Sequence, residues 1–144
     1  MSDATPDVTA PGGQWATMRL IHPAPSLAQV RWWVRRALAD ETTSSSEAVV
    51  QVVNSLVSNA YRHTSAPRAT TLIRHRTSPY VRIEVEDGER TAALVPTAPV
   101  RFHLGLRLVA GLSTAWGVRA RHNGKVVWAD VTRTGPVRIP VQRG

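Results

Sequence analysis

The chain has 144 residues, 42% of them hydrophobic and 19% charged, and it contains no cysteine. These proportions are typical of one folded domain, and the lack of cysteine excludes disulfides, thiolate metal sites and a cysteine nucleophile. The net charge of +8 comes mostly from scattered arginines, which favours a mildly basic surface over a nucleic-acid-binding one.

The two ends of the chain differ in composition from the rest. Residues 1–13 are rich in Pro, Gly, Thr and Asp, which predicts a disordered arm, and residues 135–144 predict a flexible tail. A single domain is therefore expected at 14–134. The arm carries two acids and no base, unlike a secretory signal, and no apolar run approaches the roughly 20 residues of a membrane span. We expect a cytoplasmic protein.

The first predicted elements are a strand and a helix. Weak alternation predicts a strand over Trp15–His22, and Pro23 ends it. A capping box then starts a helix whose apolar residues recur at helical spacing, namely Ser26 with Gln29, followed by Leu27, Val30, Val34 and Leu38. We expect Trp32 and Trp33 to be packing anchors.

A second helix is predicted over Val49–His63, after a polar linker at Glu41–Ser46 in which a serine caps it. It ends before Pro67, because proline disfavours helix at the preceding residue. Apolar residues follow one line along this helix, namely Val49, Val53, Leu56 and Ala60. A polar line lies beside it, formed by Ser55, Asn59 and His63.

The remaining pattern predicts strands, a loop, a helix and a hairpin. Strands are predicted at Arg68–Arg76 and Tyr80–Glu86, and we expect them to form an antiparallel pair with one solvent-exposed face. A long loop, Arg90–His103, precedes a helix at Leu104–Ser113. The last two strands, Trp116–Arg121 and Lys125–Thr132, flank the hairpin signal Asn123-Gly124. The order predicts an α+β two-layer sandwich.

Three segments carry a family resemblance. They are Ser55–His63 (SLVSNAYRH), Val85–Gly88 (VEDG) and Gly105–Val109 (GLRLV), with Trp116-Gly117 and Gly124–Trp128 after them. In this order they resemble the N, G1 and G2 boxes of the Bergerat-fold (GHKL) ATP-binding domains, and most of all the bacterial anti-sigma-factor serine/threonine kinases. The resemblance implies a mixed, mostly antiparallel sheet with helices on one face, and ATP with Mg²⁺ as cofactors.

Each box residue has a chemical reason and a plainer alternative. The amide oxygen of Asn59 suits Mg²⁺ held with nucleotide phosphates, or the residue simply faces solvent. The resemblance implies that Asp87 accepts from the adenine amine; alternatively it is a turn aspartate bonding its own backbone. Gly105 lets phosphate approach free N–H groups at a helix start, or merely starts the helix. Four further side chains either reach phosphate or are ordinary structural or solvated ones, namely those of His63, Arg101, His103 and Arg107.

The resemblance thus implies a set of cofactor-binding residues, namely Asn59, His63, Asp87, Gly88, His103, Gly105, Leu106 and Arg107, with Asn59 also as the metal ligand. The pattern departs from the family at three places. Ser55 stands where the family has its general-base glutamate, and a serine hydroxyl is not a competent base near neutral pH. The glycine at position 88 directly follows the aspartate, and His103 replaces the first glycine of G2.

These observations leave several functional hypotheses. The first is an ATP-binding regulator that holds a sigma factor or an anti-anti-sigma antagonist and, if active, phosphorylates a partner serine. The second is a catalytically inactive interaction module of the same fold, because Ser55 replaces the base. A basic nucleic-acid-binding domain is a weaker third hypothesis. The resemblance also implies a possible homodimer, since family members commonly dimerise. The lack of a long apolar run predicts no membrane partner.

Overall fold

The computed structural model describes residues 13–63, 67–75, 77–88 and 104–133. Five strands and three helices follow one another in these ranges: β1 Gly13–Arg19, α1 Leu27–Ala37, α2 Thr43–His63, β2 Pro67–His75, β3 Tyr80–Asp87, α3 Leu104–Leu112, β4 Ala115–Arg121 and β5 Gly124–Thr132. The predicted arm, loop and tail lie outside the described residues, except that Gly13 already belongs to β1. The prediction of an α+β protein is confirmed.

The strands form one sheet in the order β1-β2-β3-β5-β4. Each of the four pairings is antiparallel. The described sheet is therefore wholly antiparallel, where the resemblance had implied a mixed one. The physical reason lies in the connections: β2–β3 and β4–β5 are hairpins, and the two consecutive helices α1 and α2 return the chain so that β2 runs against β1.

One face of the sheet is buried against helices and the other is more open. Along β3, every second side chain is buried, namely Val81, Ile83, Val85 and Asp87. Glu84 and Glu86 point to the opposite face, as the alternation predicts. Helix α2 contacts β2, β3 and β5, so the buried face is the one that this helix covers. The arrangement is a two-layer sandwich whose core lies between sheet and helices.

Helix α2 supplies the longest apolar line of the core. Val49, Val53, Leu56 and Ala60 are all buried, which confirms the predicted spacing. The predicted start of the helix is wrong, because Thr43–Ser46 is already helical. Its cap is Thr42 rather than a serine, since the Thr42 hydroxyl accepts a hydrogen bond from the Ser45 amide at 3.1 Å.

Helix α1 begins with the predicted capping box, in which Ser26 and Gln29 each accept from the other's backbone amide. Only one of the two adjacent tryptophans is a packing anchor: Trp33 is fully buried, whereas Trp32 is exposed and lies under the guanidinium of Arg36. Adjacent helical residues point about 100° apart, so both could not face the same core. Leu27, in the first turn, is also exposed.

The β4–β5 hairpin turns one residue earlier than its sequence signal indicates. Arg121 pairs with Gly124, so His122 and Asn123 form the two-residue loop and Gly124 begins β5. Gly124 has φ +157°, and a Cβ atom there would lie 1.9 Å from the carbonyl oxygen of Asp87. The glycine is therefore needed for close contact between β5 and the end of β3.

Candidate functional site

The candidate site is centred on Asp87, the last residue of β3. Its side chain is only 2% exposed and lies on the helix-covered face of the sheet. Pro67 of β2 and Lys125 of β5 lie opposite it on the two neighbouring strands. A carboxylate in such a position is an acceptor with little access to water, and it needs a hydrogen-bond donor or a cation as its partner.

Lys125 supplies that cation. Its Nζ lies 3.0 Å from one carboxylate oxygen of Asp87 and 3.3 Å from the other. The Lys125 side chain is itself only 11% exposed. Because directly opposed residues of antiparallel strands share a face, the ammonium reaches Asp87 on the helix side of the sheet. The pair is neutral as a whole, and removal of either partner would leave the other charge buried.

The backbone around this pair is closely packed. Gly124 touches the Asp87 carbonyl from one side, as described above. At Gly88, a Cβ atom would lie 2.9 Å from the Nη2 atom of Arg68. Arg68 also lies 3.5 Å from Glu86, on the far side of β3 from Asp87. Glycine at position 88 therefore allows the Arg68 side chain to lie close to the backbone next to Asp87. Glycine at position 124 allows β5 to lie close to the Asp87 carbonyl.

Helix α2 brings Asn59 toward the same end of the sheet. The helix ends at His63 and β2 begins at Pro67, so their Cα atoms are at most about 14 Å apart. Since Pro67 lies opposite Asp87, the end of α2 is near that end of the sheet. Asn59 lies one turn, about 6 Å, before His63. Its side chain is half-buried, as is that of Ser55 one further turn away.

Helix α3, which contacts α2, carries the described part of the G2 segment. Gly105 lies in its first turn, the side chain of Leu106 is buried in the core, and Arg107 is exposed. Any contact of Leu106 with a ligand would therefore use its backbone. Arg101 and His103 lie outside the described residues, as does the side chain of His63.

Glu47, the glutamate on α2 nearest to Ser55 in sequence, already has several partners. It accepts from Arg31 at 2.9 Å, Gln51 at 3.1 Å and Arg35 at 3.4 Å. The hydrogen bond from Arg31, together with that from Gln51, lowers the pKa of the Glu47 carboxyl, which makes it a weaker base. Glu47 thus stabilises the contact of α1 with α2 and is poorly suited to act as a general base.

The other described carboxylates are also engaged in ion pairs. Every acidic residue in 13–63, 67–75, 77–88 and 104–133 lies within 4.0 Å of an arginine or lysine nitrogen, namely Asp40, Glu41, Glu47, Glu84, Glu86, Asp87 and Asp130. Within the same ranges, no group of three or more His, Asp or Glu side chains is arranged to hold a metal ion. A magnesium ion at Asn59 would need its other ligands from phosphates and water.

Comparisons with known proteins add no identification. A scan against models of protein families finds no match to this chain. A search of curated proteins finds none that matches it significantly. No helix in the described part of the chain is long and apolar enough to cross a membrane.

Two residues of the site were missed by sequence reasoning. Lys125 and Gly124 lie in the segment that follows Gly105–Val109; Gly124 was predicted only as part of the hairpin signal, and Lys125 was assigned no role. Their partner Asp87 is 38 residues before Lys125, and only the β3–β5 register brings them together. The one available signal is compositional: Lys125 is the single lysine of the chain, against 17 arginines.

Proposed function

We propose that this protein is an ATP-binding regulator that resembles the bacterial anti-sigma-factor serine/threonine kinases. In this proposal the adenine amine donates to Asp87, and Asn59 contributes an oxygen ligand to Mg²⁺ held by the phosphates. The partner is a sigma factor or an anti-anti-sigma antagonist. The nucleotide would lie at the end of the sheet where β3 and α2 terminate.

The observation that carries the proposal is the position of Asp87. A carboxylate that ends a strand on the helix-covered face, almost fully buried, is suited to read a base amine because it is shielded from competing water. The order of the three boxes along the chain supports the same assignment. A turn aspartate bonding its own backbone would not need a buried lysine partner 38 residues away.

Phosphoryl transfer to a partner serine is expected to be slow in this protein. Ser55 stands at the base position, and Glu47 is held by Arg31 and Gln51. Phosphoryl transfer depends largely on positioning and electrostatic stabilisation, so the lack of a base lowers the rate without forbidding the reaction. Any transfer would move the γ-phosphoryl group from ATP to the serine oxygen, with loss of the serine proton to solvent and release of ADP.

The test is a calorimetric titration with ATP and ADP, with and without Mg²⁺. Wild type is expected to bind saturably and more tightly with Mg²⁺, and Asp87→Asn to bind at least tenfold more weakly. Glu86→Gln is the matched control, because it neutralises the neighbouring carboxylate on the opposite face of β3. Wild type that does not bind ATP, or equal loss in both variants, would overturn the proposal.

The second candidate is an inactive interaction module of the same fold, and Ser55 is the observation that favours it. Ser55→Glu discriminates the two. A gain of partner phosphorylation in Ser55→Glu would mean that only the base is missing from a nucleotide-competent site. ATP binding with no phosphorylation in either protein would support a module that keeps the nucleotide for structure or signalling alone.

A further inference from the structure

Lys125 is the single lysine of the chain, and its side chain is largely shielded from solvent. The chain carries 17 arginines and one lysine, and this lysine is paired with a nearly buried carboxylate. The Lys125 side chain as a whole is 11% exposed. A buried lysine requires compensation for the water that its charge has lost.

That compensation is incomplete in the described residues. The Lys125 ammonium has three N–H donors, and within the described residues it meets one hydrogen-bonding partner, the carboxylate of Asp87, at 3.0 and 3.3 Å. Both contacts together use at most two of the three donors. A donor without an acceptor is unfavourable where access to water is limited, so a further acceptor beside Asp87 would be favoured.

Lys125 can be compared with Arg82, which pairs with a carboxylate on the open face of the sheet. Arg82 holds Asp130 by two parallel bonds of 2.8 and 2.9 Å, from Nε and Nη2 to separate carboxylate oxygens. Such a fork directs two fixed donors at its carboxylate. A lysine ammonium is a compact point charge, and it can hold a carboxylate while presenting another donor beside it.

A purine edge with an amine next to a ring nitrogen matches this pair. The amine can donate to Asp87, and the adjacent ring nitrogen can accept from Lys125, so that two parallel hydrogen bonds form between the base and the two strands β3 and β5. In adenine these atoms are N6 and N1. Building on the proposed function, we infer that Lys125 is a second base-reading residue, whose ammonium donates to N1 of adenine.

The test pairs the protein with an analogue that lacks the acceptor. In 1-deaza-ATP a C–H replaces N1, while the N6 amine is retained. A charged hydrogen bond contributes about 1.5–3 kcal/mol, so wild type is expected to bind 1-deaza-ATP roughly 10- to 100-fold more weakly than ATP. Lys125→Gln is expected to lose most of its affinity for ATP and to bind the two nucleotides almost equally.

Arg121→Gln is the matched control, because it removes one positive charge from an exposed residue on the neighbouring strand, opposite Gly124. This variant should retain the full difference in affinity between ATP and 1-deaza-ATP. If Lys125→Gln does not fold, the wild-type comparison still decides, and so does NMR. Lysine labelled with ¹⁵N at Nζ gives one side-chain resonance, which should move with ATP and much less with 1-deaza-ATP.

The outcomes separate this inference from the function on which it rests. Wild type that binds neither nucleotide overturns both. Wild type that binds ATP and 1-deaza-ATP equally keeps the nucleotide site and overturns the role of Lys125, which would then be only the structural partner of Asp87. Tighter binding of GTP than of ATP also overturns the assignment of N1, because Lys125 would then donate to the carbonyl oxygen of guanine.

Discussion

The two ends of the β2–β3 hairpin each hold buried charges, but the two groups differ in how fully they are satisfied. At the end away from Asp87, Arg74 contacts Asp40 and Glu41, and Arg133 binds the same Glu41. Arg133 also donates to the carbonyls of two residues of the β2–β3 turn, His75 and Ser78. At the Asp87 end, the Lys125 ammonium contacts the Asp87 carboxylate, and at least one of its three N–H donors has no acceptor among the described residues.

The difference distinguishes a structural cluster from the proposed ligand site. The Arg74 cluster joins the α1–α2 connection to β2 and to the residue that follows β5, and two carboxylates there balance two guanidinium groups. Such a group stabilises the fold when complete and has no need of a ligand. In the Asp87–Lys125 pair, the lysine keeps an N–H donor that has no acceptor in the described part of the chain. We therefore expect mutations at the first group to change stability alone, and mutations at the second to change binding.

The largest expected effect is on stability, from Arg74→Met. This change leaves the buried Glu41 with half of its cationic partners and should lower the free energy of unfolding by about 3–5 kcal/mol. Denaturant unfolding measures it. Arg119→Met is the control, because Arg119 pairs with Glu84 at 3.5 Å on the open face and is half-exposed, and its loss should cost at most about 1 kcal/mol. Equal effects of the two changes would contradict the assignment.

Gly124→Ala should destabilise the Asp87 end. The added Cβ would lie 1.9 Å from the Asp87 carbonyl oxygen, so the strands must separate, at a cost of about 3 kcal/mol. The same denaturation experiment with Gly111→Ala is the control, since a Cβ there has no atom within 4 Å and should add up to about 1 kcal/mol of stability. A neutral Gly124→Ala would show that this close contact does not matter.

Ligand stabilisation should distinguish the two ends directly. ATP with Mg²⁺ at 100 times its Kd is expected to raise the free energy of unfolding by about 2.7 kcal/mol. Wild type and Arg74→Met should gain equally, because the Arg74 cluster lies away from the proposed nucleotide site. Asp87→Asn should gain far less at the same ATP concentration. The gain is measured as the shift in unfolding midpoint, and an equal gain in all three proteins would place the ligand elsewhere.

The smallest expected effect is on pH dependence. A hydrogen bond from Arg74 lowers the pKa of the Asp40 carboxyl below its usual value of 3.8. As the pH falls, the carboxyl is therefore protonated in the unfolded chain before it is protonated in the folded protein. The stabilisation that the Asp40–Arg74 contact provides is complete above the pKa of Asp40 in the unfolded chain. It is lost as the pH falls through the lower pKa of the folded protein. Because the Asp40 side chain is 69% exposed, the contribution is at most about 1 kcal/mol. Asp40→Asn should reduce the difference between the urea unfolding midpoints measured at pH 7 and at pH 3. An unchanged difference would contradict this role of Asp40.

Local periodicity predicted most of the fold. The line of apolar residues on α2, the alternation of β3 and the capping box of α1 each depend on neighbours within a few residues, and all three appear in the structure. The remaining errors concern choices that tertiary contacts make. The polar run from Thr42 to Ser46 offers several caps, and the one used depends on how the helix docks: Ser45 is buried and its hydroxyl donates to the Thr132 carbonyl.

The candidate site was predictable only in part for the same reason. Asp87 is recognisable because it ends a predicted strand and precedes a glycine. Its partner is not recognisable, since the Asp87–Lys125 contact depends on the register between β3 and β5 and on a hairpin that turns one residue earlier than Asn123-Gly124 indicates. A pairing that spans 38 residues has no local sequence signature.

The most direct test of the central claim, that the Asp87 end is the nucleotide site, is an NMR titration of ¹⁵N-labelled protein with ATP and Mg²⁺. We predict saturable shifts of backbone amides around one end of the sheet, at Asn59, Gly88, Arg107 and Lys125. Amides of the other charged group, at Asp40, Glu41, Arg74 and Arg133, should stay unchanged. Saturable shifts centred on that second group, or no saturable shifts at all, would contradict the account.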